Sequence, residues 1–287
     1  MLKDVAFGQY YPADSFVHKM DPRAKILLSI AYMVAIFLIK SFFCYAILTL
    51  FLVGQIIFSK IPVKSVFKSV KAILFLALFT AIINIFFVKG AEEQLLVEWW
   101  IIKIYSTGLI AAGKMILRLV LLVTGASLLT LTTTPVDLTH AIESLLSPLK
   151  LIKVPVADFA LVMSITLRFI PTLMEETDRI IRAQKARGAQ FDTGGIIARA
   201  KAFVPILVPL LVNSFRRAED LALAMNARCY EGSVKRTRLK KLSFGWRDLV
   251  GMILFVVVIG FALTVRYVNQ EWLARILGQD VFFWITL

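Results

Sequence analysis

Five long runs of apolar residues constrain this chain more than any other feature of its sequence. They cover residues 26–39, 42–58, 72–88, 109–131 and 249–265. A run of about 17 residues forms a helix of roughly 25 Å, near the short end of what crosses a bilayer. With 59% hydrophobic residues among 287, the chain is more apolar than an ordinary soluble domain. The sequence therefore predicts an all-α integral membrane protein with about five transmembrane helices.

Lysine residues set the predicted orientation in the membrane. Four of them, with no acid among them, lie between the second and third apolar runs: Lys60, Lys64, Lys68 and Lys71. The positive-inside rule places such a loop in the cytoplasm. The predicted order is a cytoplasmic N-terminus, four spans, a large cytoplasmic helical region and one last span. The predicted domains are residues 1–131, 132–247 and 248–287, the last including an extracytoplasmic tail.

Several functional classes are disfavoured by the sequence. The net charge of +14 does not predict nucleic-acid binding, because the basic residues stand beside apolar runs; the basic stretch at 235–241 suits anionic lipid headgroups instead. Two cysteines and two histidines are too few and too separated for a disulfide framework or a metal site. Residues 108–114 have phosphate-loop glycine spacing but lack the hydroxyl after Lys114. We expect no catalytic residue, cofactor or metal.

Two further segments leave the number of spans open. Residues 156–174 are apolar except for Asp158 and Arg168, and residues 203–215 are apolar but short. A charge at a helix centre costs about 2.5 to 3.5 kcal/mol to insert into a membrane, and about thirteen residues are too few to cross one. We predict that both segments are helices along or just under the inner surface, although either could be a span.

Two long helices are predicted to end in the same way. The first covers residues 156–187 with a kink at Pro171, and the second covers about residues 197–228. Each has an alanine before its final arginine and an acid nine residues before that arginine, Asp178 and Glu219. The helix dipole favours cations at such ends, so either arginine alone could be structural. Their repeated spacing favours docking, because an exposed guanidinium binds carboxylates in bidentate fashion.

Other charged residues in the predicted helices allow a functional and a structural interpretation. Lys114 and Arg118 are one helical turn apart near the bilayer, where charges are often functional, but both could extend to the outer interface. The adjacent acids Glu175 and Glu176 point to different helix faces, so they do not form a catalytic pair. We expect these acids to form ion pairs with nearby arginines, Arg179 and Arg182.

Four stretches of the sequence resemble the transmembrane T component of energy-coupling-factor transporters, which are ABC importers for vitamins and transition metals. They are His-Lys-Met-Asp-Pro-Arg-Ala-Lys at 18–25, residues 133–138 with 147–149, residues 168–176, and the two arginine tripeptides. The family pattern at each tripeptide is Ala-Arg-Gly or a close variant. The first tripeptide matches it fully and the second has cysteine in third place: Ala186, Arg187, Gly188 and Ala227, Arg228, Cys229.

The resemblance implies a scaffold in a prokaryotic cell membrane, with no enzymatic activity of its own. Each tripeptide would dock in a groove of one of two ABC ATPase subunits, and apolar surfaces of the same helices would hold a membrane-embedded, substrate-binding S component. Closure of the ATPases would shift the helices beneath the S component. Membrane lipid is a further expected partner. Structural or coupling roles are implied for Asp21, Pro22, Arg23, Thr134, Pro135, Pro171, Glu175, Asp178 and Glu219.

The main alternative is a self-sufficient secondary transporter or channel. Such a protein would place its substrate site between broken helices at mid-membrane, often with inverted repeats. In this chain the repeated feature lies in the predicted cytoplasmic region, and the central spans hold few ionisable groups. An integral membrane enzyme is disfavoured by the lack of a catalytic set of residues.

Overall fold

The computed structural model describes residues 10–39, 41–87, 95–99, 102–189, 191, 195–232 and 243–267. These residues form helices α1 (Pro22–Leu38), α2 (Phe42–Ser59), α3 (Val63–Phe87), α4 (Ser106–Thr132), α5 (Pro135–Leu145), α6 (Val156–Ala186), α7 (Ile196–Ala227) and α8 (Trp246–Tyr267). A 3-10 helix, Ser147–Ile152, follows α5. Strands β1 (Leu95–Trp99) and β2 (Ile102–Tyr105) pair antiparallel between α3 and α4. The all-α class is confirmed, with this short hairpin as the one addition in the described part. The predicted basic stretch at 235–241 lies outside the described residues.

Three of the described helices are long and apolar enough to cross a membrane: α2, α4 and α6. Helix α3 would be a fourth if its two parts, Val63–Lys71 and Ile73–Phe87, which meet at 50°, form one span. Helices α1 and α8, which contain the first and last predicted spans, are not in this group; α1 has 17 residues, about 26 Å of helix. Because α6 also has the composition of a span, the predicted surface position of its first half stays a prediction.

Helices α1, α2, α4 and α8 share a buried apolar cluster that includes Ile36, Tyr45, Leu48, Leu121 and Phe255. Gly125 of α4 allows α1 to approach closely, because a Cβ atom there would lie 2.6 Å from the ring of Tyr32. Even alanine at this position would force the ring to move. The contacts place α1–α4 and α8 in one compact unit, and α6 and α7 in another.

Arg118 has a structural partner within the first of these units. Its Nε donates to the hydroxyl of Tyr45 at 3.0 Å, and its Nη2 donates to the carbonyl of Ile39 at 3.3 Å. The Lys114 ammonium lies 5.8 Å from the ring centroid of Phe42, within the range of a cation–π contact. Arg118 therefore ties α4 to α2 and to the end of α1, which favours the structural interpretation of this basic pair.

Candidate functional site

The first arginine tripeptide forms a complete helix C-cap. Helix α6 ends one residue before Arg187, and Gly188 follows in the left-handed region with a φ of 85°. The backbone N–H of Gly188 donates to the carbonyl of Lys185, and that of Ala189 donates to the carbonyl of Gln184, both at 3.0 Å. These two bonds define a Schellman motif, which pairs carbonyl groups that a helix end otherwise leaves open. Gly188 is thus the helix stop that the sequence predicts.

The second arginine tripeptide repeats this geometry. Helix α7 ends one residue before Arg228, and Cys229 takes the left-handed position with a φ of 55°. The N–H of Cys229 donates to the carbonyl of Asn226 at 2.9 Å, and the N–H of Tyr230 donates to the carbonyl of Met225 at 3.0 Å. The same Schellman motif is therefore present although cysteine stands where the first tripeptide has glycine.

Replacing Cys229 with glycine is expected to stabilise the end of α7. A side chain in the left-handed region costs about 1 to 2 kcal/mol, which glycine avoids, although glycine also gains freedom in the unfolded chain. We expect the Tyr230 amide proton, which closes the Schellman motif, to exchange about fivefold more slowly in Cys229→Gly, as a gain of about 1 kcal/mol requires. Hydrogen exchange followed by mass spectrometry measures this change.

The matched control is Gly188→Ala in the first tripeptide. It places a side chain in the corresponding left-handed position, so exchange at Ala189 should become faster by a similar factor. Unchanged exchange at Tyr230 in Cys229→Gly would contradict the strain assigned to Cys229.

Both arginines are accessible at these helix ends. Arg187 and Arg228 are exposed, as are the alanines that precede them. Neither arginine forms an ion pair with another residue in the part of the chain that the structure describes. Each guanidinium carries five N–H donors in a planar fork suited to carboxylates. The two helix ends can therefore each present one arginine to an acidic groove on another protein.

Helices α6 and α7 are joined by a polar cluster of Glu176, Asn213 and Arg217, called the interhelical clamp below. The Nη2 atom of Arg217 donates to Oε2 of Glu176 at 3.2 Å, and the side-chain amide of Asn213 donates to Oε1 of the same carboxylate. The side chains of Arg217 and Glu176 are 31% and 20% exposed. The Arg217 guanidinium also lies 5.7 Å from the ring centroid of Phe169. Partial burial makes this ion pair stronger than one on an open surface.

The interhelical clamp corrects one expectation from the sequence. Glu176 pairs with Arg217 of the other helix rather than with Arg179 or Arg182 of its own. The adjacent Glu175 is exposed and forms no ion pair within the described residues. Neighbouring helical positions differ by about 100°, so Glu176 faces α7 while Glu175 points away. The sequence analysis missed this cluster because its members lie on different helices, 37 and 41 residues apart.

The interhelical clamp lies at the same distance from both arginines. Arg187 is eleven residues beyond Glu176 along α6, and Arg228 is eleven residues beyond Arg217 along α7. At the helical rise, each distance is about 16 Å. Beyond the ion pair of the interhelical clamp, α6 and α7 therefore extend by equal lengths, and both end in the same kind of helix cap.

Asp21, Pro22 and Arg23 lie at the start of α1. The side chain of Asp21 accepts from the N–H of Arg23 at 2.9 Å, and Pro22 occupies the first helical position. The N–H of Asp21 donates to the buried Asp248 carboxylate at 2.6 Å, and this carboxylate also accepts from the N–H of Gly245 at 2.8 Å. Asp248 therefore fastens the start of α8 to the start of α1. The bond from the Gly245 N–H to Asp248 is one half of a capping box, and an acid three residues after a possible N-cap was the available signal that sequence analysis missed.

Thr134 and Pro135, for which the resemblance implies a structural or coupling role, begin α5. The Thr134 hydroxyl accepts from the N–H of Asp137 at 3.1 Å and donates to its carboxylate at 2.8 Å. Pro135 is the first residue of the helix, where its missing N–H costs nothing. These residues have a clear structural part in ending α4 and starting α5.

The remaining predicted coupling residues lie on α6 and α7. Pro171 is inside α6, which continues through it for a total of 31 residues. Asp178 and Glu219 form no ion pair with other described residues. The structure does not bring these two acids into contact with the arginines that follow them, so their part in coupling stays a prediction.

The first halves of α6 and α7 expose apolar side chains. More than half of the surface of Phe159, Val162, Leu207, Val208 and Leu211 is exposed. Contiguous apolar patches of this kind mark surfaces that lipid or another protein covers. Each helix therefore combines an apolar surface near its start with an exposed arginine at its end.

Comparison with known proteins gives consistent matches over most of the chain. A family model described as cobalt transport protein, CbiQ, matches residues 13–239. A protein of Ruminiclostridium cellulolyticum named energy-coupling factor transporter transmembrane protein EcfT is 50% identical over 268 residues, which cover 93% of this chain and 99% of that protein. Proteins of the same name from Clostridium kluyveri and Bacillus subtilis are 48% and 41% identical over 266 residues; each match covers 93% of this chain, with 98% and 100% of the relatives.

Proposed function

Because the chain belongs to the CbiQ family of cobalt transport proteins, together with the EcfT proteins that it matches, we propose that it is the coupling subunit of an energy-coupling-factor importer. As the transmembrane component of such a transporter, it is a non-catalytic membrane subunit. In the proposed role it transmits movement from two ATPase subunits to a membrane-embedded S component. The observation that carries this role is the pair of matching caps, each presenting one exposed arginine.

Each arginine is proposed to dock in a groove of one ATPase subunit. Arg187 and Arg228 would each bind acidic groups there, and their small neighbours Ala186, Ala227 and Gly188 would allow close approach. Charge-assisted, bidentate contacts are strong and directional, so they suit a joint that must transmit force. Two equivalent helix ends fit two similar subunits, one to each.

The S component is proposed to rest on the exposed apolar surfaces of α6 and α7. These surfaces precede the interhelical clamp along the chain, whereas the arginines follow it. Movement of the arginine ends toward each other would therefore change the surface on the other side of the clamp. ATP would be hydrolysed by the partner subunits, and the substrate, a vitamin or transition metal, would be bound by the S component.

The proposed location is the cell membrane of a prokaryote, with the N-terminus in the cytoplasm. Support comes from Lys64, Lys68 and Lys71, which lie in the first turns of α3, shortly after the end of α2. The positive-inside rule places such a lysine-rich segment in the cytoplasm. This orientation places the start of α1 on the same side of the membrane as the ATPases.

Affinity purification in mild detergent tests the proposed function. The tagged full-length chain, produced in its own host, should be recovered with two ATP-binding subunits and a small membrane protein, which mass spectrometry identifies. Recovery of the chain alone, together with substrate uptake by the chain alone in liposomes, would overturn the proposal and support a self-sufficient transporter.

A further inference from the structure

A large apolar cavity, partly open to the surface, lies within the first compact unit. Its volume is about 530 Å³, within the range of roughly 300 to 1,000 Å³ that is usual for small-molecule sites. Its walls come from α1, α2, α4, α8 and the segment before α1, with side chains such as Leu28, Phe51, Leu128 and Leu254. Because these walls are apolar, an apolar occupant that fills the cavity gains dispersion contacts with them.

A basic recess of about 350 Å³ adjoins this cavity. The two share Phe16 and Phe58 in their walls, so the recess lies against the cavity at these rings and is called its mouth below. The recess also contains three cations and one acid: Lys19, Lys60, Arg247 and Asp14. The acid pairs with Lys19 at 3.2 Å. The mouth therefore keeps a net positive charge, contributed by Lys60 and Arg247.

The lysine that lines the apolar cavity already has two partners. Nζ of Lys25 donates to the carbonyls of His18 and Thr132, at 3.1 and 3.0 Å. These bonds hold the segment before α1 against the end of α4. Lys25 thus serves the structure of the cavity wall, and an anionic group fits better at the mouth, beside Lys60 and Arg247.

We propose that the apolar cavity and its basic mouth form a binding site for one anionic phospholipid. One acyl chain lies among α1, α2, α4 and α8, and the phosphate lies at Lys60 and Arg247. Lys60 ends α2 and Arg247 is in the first turn of α8, on the side of the bundle where α1 also begins. A headgroup at this mouth belongs to the leaflet on the side of the lysine-rich start of α3, where anionic lipid attracts basic residues.

Filling the cavity tests the site of the acyl chain. Gly54 of α2 lines the cavity, and a Cβ atom added there meets nothing within 4 Å, so Gly54→Phe can occupy the space with little clash. Gly260→Phe is the matched control, because Gly260 of α8 also has nothing within 4 Å and does not line the cavity. Phosphatidylglycerol retained by each full-length variant after detergent washing is counted by native mass spectrometry. We expect about a tenfold loss in Gly54→Phe and no loss in Gly260→Phe.

Reversing charges tests the site of the phosphate. Lys60→Glu with Arg247→Glu should lower retention of phosphatidylglycerol by about tenfold or more, because two charge-assisted contacts become repulsive. Arg182→Glu with Arg216→Glu makes the same change in net charge on exposed residues of α6 and α7 that do not line the mouth. This control should retain phosphatidylglycerol as the unchanged chain does.

Three outcomes would overturn the proposal. They are equal retention in Gly54→Phe and the unchanged chain, equal loss in both charge-reversal variants, or retention of phosphatidylcholine as strong as that of phosphatidylglycerol. None of these results depends on ATPase partners. The experiments can therefore contradict the lipid site without contradicting the proposed function, and they can contradict the proposed function without contradicting the lipid site.

Discussion

Reversing both docking arginines, Arg187→Glu with Arg228→Glu, is expected to reduce ATP-dependent substrate uptake to background. Each exposed guanidinium would become a carboxylate facing the proposed acidic groove, so attraction would turn into repulsion at both joints. The bonds that cap α6 and α7 are made by the backbone, so the helices should still form. Uptake into cells is measured beside the amount of the protein in isolated membranes, which should not change.

A matched control separates docking from net charge. Arg182 and Arg216 are exposed on the same two helices, away from their ends, and Arg182→Glu with Arg216→Glu changes the charge by the same amount. This variant should keep most of the uptake. Normal uptake in the Arg187 and Arg228 double variant, at normal membrane levels, would rule out the docking role of the tripeptides.

Loss of the interhelical clamp is expected to uncouple ATP hydrolysis from transport. Glu176→Gln removes the ion pair to Arg217 while preserving side-chain shape, and it leaves a partly buried guanidinium without its counter-charge. Such a loss costs about 1 to 3 kcal/mol. We expect uptake to fall about tenfold, as a cost near 1.4 kcal/mol in the coupled movement implies. The assembled complex should hydrolyse ATP at close to its usual rate, since both arginine ends are intact.

Asp220→Asn provides the control for this change. It neutralises an acid of α7 that is exposed and forms no ion pair with other described residues, and it should leave both activities unchanged. A double-mutant cycle of Glu176→Gln and Arg217→Met then isolates the pair, because the two effects should be clearly less than additive. Additive effects, or parallel loss of hydrolysis and uptake, would contradict a coupling role for the clamp.

Features that depend on local sequence were predicted well. The apolar runs at 42–58 and 109–131 lie in α2 and α4, two of the three described helices that are long and apolar enough to cross a membrane. The helix predicted over residues 156–187 is observed as Val156–Ala186 with Arg187 as its cap. The start of α5 at Thr134-Pro135 likewise depends on residues next to each other in the chain. In each case the signal and the structure lie within a few residues of each other. The resemblance to the T component, carried by short motifs, is confirmed by the family match over residues 13–239.

Features that depend on distant contacts could not be predicted. The backbone N–H of Asp21 meets the Asp248 carboxylate across 227 positions, and Glu176 meets Asn213 and Arg217 on another helix. A single sequence carries no signal for such pairings, because many polar groups are equally suitable partners until the helices are packed. The left-handed backbone at Cys229 was hidden for another reason, since cysteine has no preference for that conformation.

The two cysteines differ in solvent exposure, and this difference allows the second tripeptide to be labelled selectively. Cys44 is buried and its thiol donates to the carbonyl of Ala262, whereas Cys229 is exposed. A thiol-reactive spin label or fluorophore applied to the native protein would therefore attach at Cys229, next to Arg228. The natural sequence thus already carries a single reporter position at one of its two proposed joints, without any engineered cysteine.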